Sequence, residues 1–420
     1  MTALISPLAL DAMLVESAFI ENPYPAYALL RAHAPVHESE AWGAWLLTRY
    51  DDCAAVLRDP ERFSSAGRVS AMLDRLPAAE RARFAPLDAN FQLGMPNSDP
   101  PDHTRIRNLV NRAFTPRVVE AMQDEIGSAL RELLAPVLTR GEVDLIPAVA
   151  HPLPARVILS LLGVPRADRA RFQQWSNDVV AFFGTAGTDL DTATRSLTAF
   201  LEAREWLRDA IAESRRRPRS DLLTALVLAE SESGALTEAE IIATCITLLT
   251  AGHETTTTLI ASGCLALLRH PDQLALLRER PELISSAIEE FLRYDAPFQQ
   301  ARRRTSVDVE IRGRRIPAGS IVSELLGSAN RDPEQFADPD RLDITRHGTR
   351  HLGFGVGIHF CIGAALARLE ARIAIPMLLD ELRDVELSPD GVAWRWNTTF
   401  RGLSRLVVRF APRMPVDGIR

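Results

Sequence analysis

One long apolar stretch constrains the fold of this 420-residue chain more than any other feature. Thr237 and Glu240 form a capping-box pattern that predicts a helix start, and apolar periodicity continues to about Arg269, just before His270-Pro271. A helix over 237–269 has a length of roughly 50 Å at about 1.5 Å per residue. A helix of that length crosses a protein of this size, so the other elements must pack around it.

The middle of this predicted helix is poor in helix formers. Residues 251–258 read Ala-Gly-His-Glu-Thr-Thr-Thr-Thr. Glycine costs about 1 kcal/mol relative to alanine in a helix, and threonine hydroxyls can bond carbonyls of the preceding turn. We therefore expect a local distortion here. We interpret Thr256, Thr257 and Thr258 as structural residues whose hydroxyls pack against their own helix.

A second informative stretch surrounds Cys361. Residues 354–363 read Phe-Gly-Val-Gly-Ile-His-Phe-Cys-Ile-Gly and precede a helix-forming run. The glycines permit backbone angles closed to other residues, so that main-chain N–H groups can turn toward the sulfur. The start of the following helix predicts a lowered pKa for the thiol. A lone thiolate held this way suits an axial ligand of haem iron. The alternative is a buried structural cysteine at a helix start.

The composition limits the class of protein and the kinds of partner that this chain can have. Hydrophobic residues make up 46% of the chain and charged residues 25%, which is typical of a globular protein. The four cysteines are far apart and form no CxxC pair, so we expect no disulfide and a reducing cytoplasm. The N-terminus shows no signal peptide and the apolar segment 241–252 is too short to span a bilayer, so no membrane contact is expected. The net charge of −7 argues against nucleic acid as a partner.

Helical patterns dominate, with β signals at 43–50 and 307–322. The fold class is therefore mainly α (α+β). We predict a single domain over 1–420, in which a large helical portion is joined by a smaller β-rich portion from about 25–60, 300–325 and the C-terminal strands. No break marked by proline or glycine resembles an interdomain linker.

The loop at 354–363 resembles the haem-binding loop of the cytochrome P-450 superfamily, the haem-thiolate monooxygenases. The run Ala251-Gly252-X-Glu254-Thr255 resembles the oxygen-activation motif of the same family. The resemblance extends from about residue 22 to 403. It implies the cytochrome P-450 fold, with haem b between the long central helix and the loop. It also implies Cys361 as the iron ligand, with Glu254 and Thr255 as the acid and alcohol that deliver protons.

Two further sets of residues follow from this resemblance. Glu290-X-X-Arg293 is similar to a scaffold element of the family, for which we expect Arg341 as the third partner. The haem propionates need cationic or donor groups, and arginine suits carboxylates well. The residues that match propionate ligands are His103, Arg107, Arg303 and His359. The alternative for His359 is an exposed loop histidine.

The resemblance implies insertion of one oxygen atom of dioxygen into a hydrophobic molecule, by hydroxylation or epoxidation. A terpenoid, steroid, fatty acid or polyketide fits an apolar pocket. The expected pocket residues are Phe91, Leu93, Phe182, Thr247, Leu248, Ala251, Phe298, Thr399 and Phe400, any of which could equally be plain core.

We expect a monomer that receives electrons from a separate ferredoxin and ferredoxin reductase, because no flavin, nicotinamide or iron–sulfur motif is evident. Every one of the 48 basic side chains is arginine, so a docking patch must consist of guanidinium groups. The candidates are Arg105, Arg112, Arg350, Arg368 and Arg372. Two alternatives stay open: a peroxide-driven haem-thiolate enzyme, and a non-catalytic haem sensor in which His253 supplies a second strong iron ligand.

Overall fold

Helices make up most of the secondary structure. The computed structural model describes residues 6–67, 70, 73, 76–184, 190–231 and 234–413. The α-helices are α1 Pro7–Met13, α2 Ser17–Glu21, α3 Tyr24–His33, α4 Tyr50–Arg58, α5 Ala78–Arg81, α6 Ala85–Leu93, α7 Asp102–Ala113, α8 Pro116–Glu120, α9 Gln123–Leu134, α10 Pro152–Leu161, α11 Arg169–Gly184, α12 Leu190–Arg216, α13 Leu222–Val227, α14 Glu238–Arg269, α15 Pro271–Glu279, α16 Ile284–Tyr294, α17 Leu326–Ala329 and α18 Ala364–Glu381. The strands are β1 Val36–Ser39, β2 Ala44–Leu47, β3 Phe63–Ser64, β4 Glu142–Asp144, β5 Glu230–Ser231, β6 Gly234–Ala235, β7 Gln300–Thr305, β8 Val309–Ile311, β9 Arg314–Ile316, β10 Ile321–Leu325, β11 Glu386–Trp394 and β12 Leu403–Arg409.

The central helix α14 begins and ends where the sequence predicts. The backbone N–H of Thr237 donates to Glu240 Oε2 at 2.8 Å, and the N–H of Glu240 donates to Thr237 Oγ1 at 3.2 Å. This reciprocal capping box satisfies two of the N–H groups that a helix start leaves free. The prediction of a distortion near residues 251–258 is wrong, since α14 is α-helical throughout. The hydroxyls of Thr255 and Thr257 bond carbonyls of the preceding turn without interrupting the helix.

Gly263 explains how closely α14 packs against its neighbours. A Cβ atom at this position would lie 2.9 Å from Ile375 Cδ1 on α18 and 2.9 Å from Phe291 Cδ2 on α16. The absence of a side chain therefore lets three helices meet around one point. Their apolar faces belong to one large buried cluster that also includes α9 and α10. This cluster is the main hydrophobic core.

The strands form small sheets, one of which packs into the main core through residues of β4 and β12. One sheet has the order β1-β2-β10-β7-β3, in which β2 and β10 run parallel and the other pairs are antiparallel. A second sheet has the order β11-β12-β4. The strands predicted within 43–50 and 307–322 are present as β2 and as β8 to β10. The β8–β9 turn uses positive φ at Arg312 and Gly313. The mainly α fold is confirmed, and the single domain over 1–420 stays a prediction.

Glu290 and Arg293 form an ion pair that is fully buried on α16. Arg293 Nε and Nη2 donate to the two carboxylate oxygens of Glu290, each at 2.8 Å, and neither side chain has exposed surface. The guanidinium also donates to three main-chain carbonyls, those of Asn330, Pro339 and Arg341. A buried charge is tolerated only when its partners satisfy it in this way.

The third charged partner of this pair is Arg346, so the prediction of Arg341 is wrong. Arg346 Nε lies 3.2 Å from Glu290 Oε2, whereas the side chain of Arg341 is exposed. Arg341 contributes only its carbonyl oxygen, to Arg293 Nη2. The backbone N–H of Asp343 completes the shell of Glu290 at 2.9 Å.

Replacing Arg293 with leucine should lower the free energy of unfolding by about 3–5 kcal/mol, because the carboxylate of Glu290 stays buried without its main partner. Urea unfolding of the haem-loaded protein, followed by circular dichroism, measures this. A matched change at an exposed pair, Arg280→Leu beside Glu282, should have little effect. Equal losses in the two variants would contradict the assignment of the buried pair as the main scaffold contact.

Candidate active site

The loop that precedes α18 holds Cys361 through its backbone. Gly355 and Gly357 have φ of +69° and +79°, which favours glycine at both positions. A Cβ at Gly357 would also lie 2.5 Å from the carbonyl oxygen of Leu57 on α4. The N–H of Cys361 donates to the carbonyl of Phe354 at 2.9 Å, which closes the loop. Gly363 has an ordinary φ of −82°, so the predicted need for unusual angles applies to only two of the three glycines.

The predicted lowering of the Cys361 pKa is wrong. Burial raises the pKa of this thiol, and its effect exceeds the opposing contributions of the Gly363 N–H, Arg107 and Arg368, which lower it. The free-energy cost of removing a thiolate from water is larger than the stabilisation that it gains from one hydrogen bond and two nearby cations. A bound metal cation would reverse this balance, because a coordinating thiol is deprotonated.

Two histidines lie together beside the loop. His103 on α7 is 1% exposed, and neither of its ring nitrogens has a hydrogen-bond partner among the described residues. Burial, followed by the charge of Arg107, lowers the pKa of His103 to about 4. Its ring centroid lies 4.3 Å from that of His359, whose Nε2 is 3.0 Å from Ser65 Oγ. A buried imidazole without partners indicates a site for another polar group.

Two arginines lie in the same region. Arg107 donates from Nη2 to the carbonyl of Phe360 at 2.5 Å, next to Cys361 in the chain. Arg303 is buried on β7, whereas its neighbours Arg302 and Arg304 are only half-buried. Arg303 donates to the carbonyl of Arg302, so the hydrogen bonds that Arg107 and Arg303 make within the described ranges go to main-chain oxygens and not to carboxylates. Guanidinium groups without a carboxylate are well suited to bind one from a cofactor.

One face of the otherwise buried helix α14 is accessible to solvent, and we call its residues Thr247, Ala251 and Thr255 the open stripe. Thr247, Ala251 and Thr255 follow each other at intervals of four residues, so they share one face. Thr247 and Thr255 are half-buried and Ala251 is exposed, although the residues on the other faces are mostly buried. A hydroxyl hydrogen bond runs from Thr255 Oγ1 to the Ala251 carbonyl at 2.8 Å. The stripe therefore faces open space rather than the packed core, and a ligand could contact it there.

The other residues predicted to line a pocket divide into two groups. Phe298 and Phe400 are half-buried, with ring centroids 5.4 Å apart, and Thr399 is half-buried beside them. Leu93 is 37% exposed. In contrast, Phe91, Phe182 and Leu248 have between 0 and 7% of their surface exposed and belong to the main core. The last three fit the alternative of plain core packing.

Glu254, the acid of the predicted acid–alcohol pair with Thr255, is held by residues that the sequence did not indicate. Glu254 is 8% exposed, and one of its carboxylate oxygens is in an ion pair with Arg395, between β11 and β12. Its other oxygen lies 3.9 Å from Nε2 of His151. Thr257 Oγ1 donates to the His253 carbonyl, as the structural interpretation of that threonine predicts. Neither Arg395 nor His151 has a local sequence signal, because each is far from Glu254 in the chain.

His253 is placed against the His151 segment. Its ring is 1% exposed, its centroid lies 4.2 Å from that of His151, and its Nε2 is 3.1 Å from the His151 carbonyl oxygen. Burial and the neighbouring His151 lower the pKa of His253 to about 4. This ring has a structural contact of its own, which argues against the interpretation of His253 as a free second iron ligand.

Comparison with known proteins assigns the fold and the chemistry. Residues 77–404 match the family model described as cytochrome P-450. The chain belongs to the cytochrome P-450 family. Cytochrome P-450 107B1 of Saccharopolyspora erythraea is 43% identical over 95% of this chain and 98% of its own. Vitamin D(3) 25-hydroxylase of Pseudonocardia autotrophica is 43% identical over 95% of this chain and 96% of its own.

A solved structure supports the same assignment. The Bacillus subtilis 168 bacillaene polyketide synthase cytochrome P-450 PksS has a TM-score of 0.84 and 36% identity, covering 94% of this chain and 98% of its own. This cytochrome P-450 is thus a haem-containing monooxygenase with haem b as its cofactor. In the described part of the chain, no helix has the length and apolar character needed to cross a membrane.

Proposed function

We propose that this cytochrome P-450 inserts one oxygen atom of dioxygen into a bulky, uncharged lipophilic molecule of the polyketide or steroid type. The carrying observation is the open stripe of Thr247, Ala251 and Thr255, which together with Phe298 and Phe400 offers small and apolar groups and no charged side chain. An uncharged apolar substrate suits such a lining. The names of two relatives, a vitamin D(3) hydroxylase and a polyketide synthase cytochrome P-450, point to the same class.

A fatty acid is the less suitable substrate class. Its carboxylate would require a cation at the pocket, and the nearest arginine to the acid on α14 is Arg395, which is already paired with Glu254. Breaking that pair would leave Glu254 buried without compensation. We therefore favour hydroxylation or epoxidation of a neutral ring system or macrolactone.

The experiment for this proposal is an optical titration of the ferric holoenzyme. Vitamin D3 and a macrolactone aglycone should displace the iron-bound water and shift the haem absorption at micromolar concentrations. Palmitate should bind at least about tenfold more weakly, a difference of about 1.4 kcal/mol. Glucose and adenosine serve as polar controls. Tight binding of palmitate with no response to the neutral compounds would overturn the substrate class.

We propose the residues that would hold the cofactor on the geometry of the cysteine loop and its neighbours. Cys361 is the proposed iron ligand. His103, Arg107, Arg303 and His359 are the proposed partners of the propionates. The two ring nitrogens of His103, which have no hydrogen-bond partner in the described part of the chain, support this role. Haem supplies the reductive activation of dioxygen, to which a thiolate ligand contributes electron density. The chain itself must bind the substrate, exclude water and deliver protons.

Proton delivery is assigned to Glu254 and Thr255. The hydroxyl of Thr255 lies on the open face and donates to the Ala251 carbonyl, so rotation about its Cα–Cβ bond turns it toward the cavity. Glu254 precedes Thr255 in α14, and its buried carboxylate faces Arg395 and His151. In the proposed relay, Glu254 is the acid that returns a proton to the Thr255 hydroxyl. A peroxide-driven enzyme does not need this relay, so the presence of both residues favours the use of dioxygen and two electrons.

Replacing Thr255 with alanine should leave the binding of substrate nearly unchanged and divert most reducing equivalents to hydrogen peroxide. The physical reason is that general acid catalysis contributes on the order of 10²–10⁴ in rate when a proton donor is in place. Product and peroxide formed per NADPH measure the effect. Thr257→Ala is the matched control, because it also removes a hydroxyl bonded within the helix. Equal coupling in Thr255→Ala and the wild type would remove Thr255 from the relay.

A ferredoxin is the proposed electron donor, and the exposure of the candidate arginines supports some of them over others as docking residues. Arg105 is paired with Glu240, and Arg368 binds Glu289 through Nε at 2.6 Å and Nη2 at 2.8 Å. Their charges are largely compensated within the protein. Arg112, Arg350 and Arg372 are exposed. Arg112 is on α7, the helix from which Arg107 reaches the carbonyl beside Cys361. A monomer located in the cytoplasm stays a prediction.

Reversing the charge of Arg112 with glutamate should raise the ferredoxin concentration needed for half-maximal reduction several-fold. Neutralisation with glutamine should have a smaller effect, because it removes attraction without adding repulsion. Reduction by the wild type should also slow as salt rises, since exposed charges more than about 8–10 Å apart are screened near physiological ionic strength. Arg278→Glu is a control of the same charge change on exposed α15. Reduction rates that respond to neither salt nor Arg112→Glu would indicate an apolar docking surface.

A further inference from the structure

A cluster of ionisable groups lies behind the open face of α14. His151 follows the π-helix Ile146–Ala150 and immediately precedes α10, and its N–H donates to the carbonyl of Ile146 at 3.0 Å. Its side chain is 24% exposed, whereas Glu254 beside it is buried. His151 is thus a titratable group that faces Glu254 at 3.9 Å and is itself partly accessible to solvent; the guanidinium of Arg395, the other partner of Glu254, stays charged and does not exchange a proton near neutral pH. Single turns of π-helix are frequent at functional sites.

The hydrogen bonds of His151 indicate which nitrogen carries its proton. The amide nitrogen of Gln173 on α11 lies 3.3 Å from Nδ1, and as a donor it requires Nδ1 to be the acceptor. The proton of the neutral ring is then on Nε2, the nitrogen that lies 3.9 Å from Glu254 Oε1. Burial lowers the pKa of His151 and the charge of Arg395 lowers it further, whereas Glu254 raises it. The neutral ring therefore predominates near neutral pH.

A metal ion is the other chemistry that this cluster allows. One donor atom from each of His151, His253 and Glu254 lies within 4.8 Å of the others. However, Arg395 already binds the carboxylate of Glu254 and would repel a cation. Nε2 of His253 is also engaged by the His151 carbonyl. The arrangement suits the movement of a proton better than the binding of a divalent ion.

We propose that His151 carries protons from the protein surface to Glu254, and that His253 is a positioning residue that holds the His151 segment. This inference rests on the proposed role of Glu254 and Thr255 in proton delivery. After Glu254 has given up a proton, Nδ1 of His151 accepts a proton from solvent, and the carboxylate of Glu254 takes the proton from Nε2 of the resulting imidazolium. One N–H bond forms at Nδ1, one N–H bond breaks at Nε2 and one O–H bond forms, so one proton has moved inward with no change in electrons.

The reset of His151 completes the cycle. A ring flip, or a return of the proton through water, restores the Nε2–H tautomer. Arg395 restricts the rotation of the Glu254 carboxylate, because it binds one carboxylate oxygen while the other oxygen faces His151. Gln173 holds Nδ1 only through a single bond of 3.3 Å, which solvent can replace at the partly exposed ring.

The first test measures the interaction between His151 and Glu254 in an enzyme that is not turning over. Nitrogen-15 spectra of histidine-labelled protein in the reduced carbon monoxide form, with His151 assigned by its loss in His151→Phe, report the tautomer and the pKa. We expect a neutral ring protonated on Nε2, with a pKa below its ordinary value. Glu254→Gln should lower the pKa of His151 further, because the carboxylate that favours the charged ring is gone. An Nδ1–H tautomer, or a pKa unaffected by Glu254→Gln, would overturn the proposal.

The second test measures coupling against pH. In His151→Phe, Glu254 must collect protons from water directly, so product formed per NADPH should fall several-fold and fall most above pH 7, where hydronium is scarce. Spectral titration of substrate should be unchanged. His151→Gln keeps a hydrogen-bonding side chain that cannot carry a proton, so it should behave like His151→Phe. Normal coupling in His151→Gln would show that the ring acts through packing alone, and would overturn the proposal.

Two parallel variants separate this inference from the proposed function. His33→Gln, on α3 in the sheet-rich part, is the control for loss of a histidine and should match the wild type. Thr255→Ala reports on the relay itself. If Thr255→Ala uncouples the enzyme and both His151 variants do not, the role of His151 is wrong and the relay stands. If Thr255→Ala also stays coupled, the relay itself is wrong, and the role of His151 is overturned with it.

Discussion

The fully buried pair of Glu290 and Arg293 is the contact on which the arrangement of the site depends. Its hydrogen bonds reach the carbonyls of residues 330, 339 and 341 and the N–H of Asp343, so one ion pair determines the path of an irregular segment. That segment leads directly to the cysteine loop. Asn330 extends the same network by accepting the N–H of Leu352 at 2.7 Å. An irregular chain without a helix or sheet ladder needs such partners for its buried polar groups.

A second constraint is the close approach of backbone atoms. Gly263 lets α14, α16 and α18 meet, and Gly357 lets the cysteine loop pass against the carbonyl of Leu57. At each of these two positions there is no room for even the methyl group of an alanine. The loop is thereby held between α4 on one side and the start of α18 on the other. The position of Cys361 is accordingly set by main-chain packing of the loop, and the Gly363 N–H is directed at its sulfur, the proposed iron ligand.

A third constraint is the burial of the Glu254 carboxylate between Arg395 and His151. A carboxylate in the middle of a buried helix requires compensation, and Arg395 supplies it. The proposed role in proton delivery also requires that this carboxylate exchange protons, which a fully paired group does poorly. One oxygen of Glu254 is paired with Arg395 and the other faces His151, an arrangement that is compatible with the proposed role. The open stripe of Thr247, Ala251 and Thr255 then separates the cavity side of α14 from this polar side.

The sequence by itself determined the features that depend on neighbouring residues. These are the bounds of α14 with its capping box, the cysteine loop with glycines at 355 and 357, the pairing of Glu290 with Arg293, and the mainly α class. Capping, turn formation and i,i+3 pairing act within a few residues, so a local pattern contains them. The family resemblance added the cofactor and the class of reaction.

The tertiary structure decided which distant groups meet. Arg346 rather than Arg341 completes the buried pair, Arg395 and His151 face Glu254, and Arg105 and Arg368 are occupied by carboxylates. It also decided that burial raises the pKa of Cys361 although a helix begins beside it. Arginines are numerous in this chain and similar in their local setting, so no spacing distinguishes them. Burial and electrostatic contact depend on how helices and loops pack in three dimensions, and that information is absent from any short stretch of sequence.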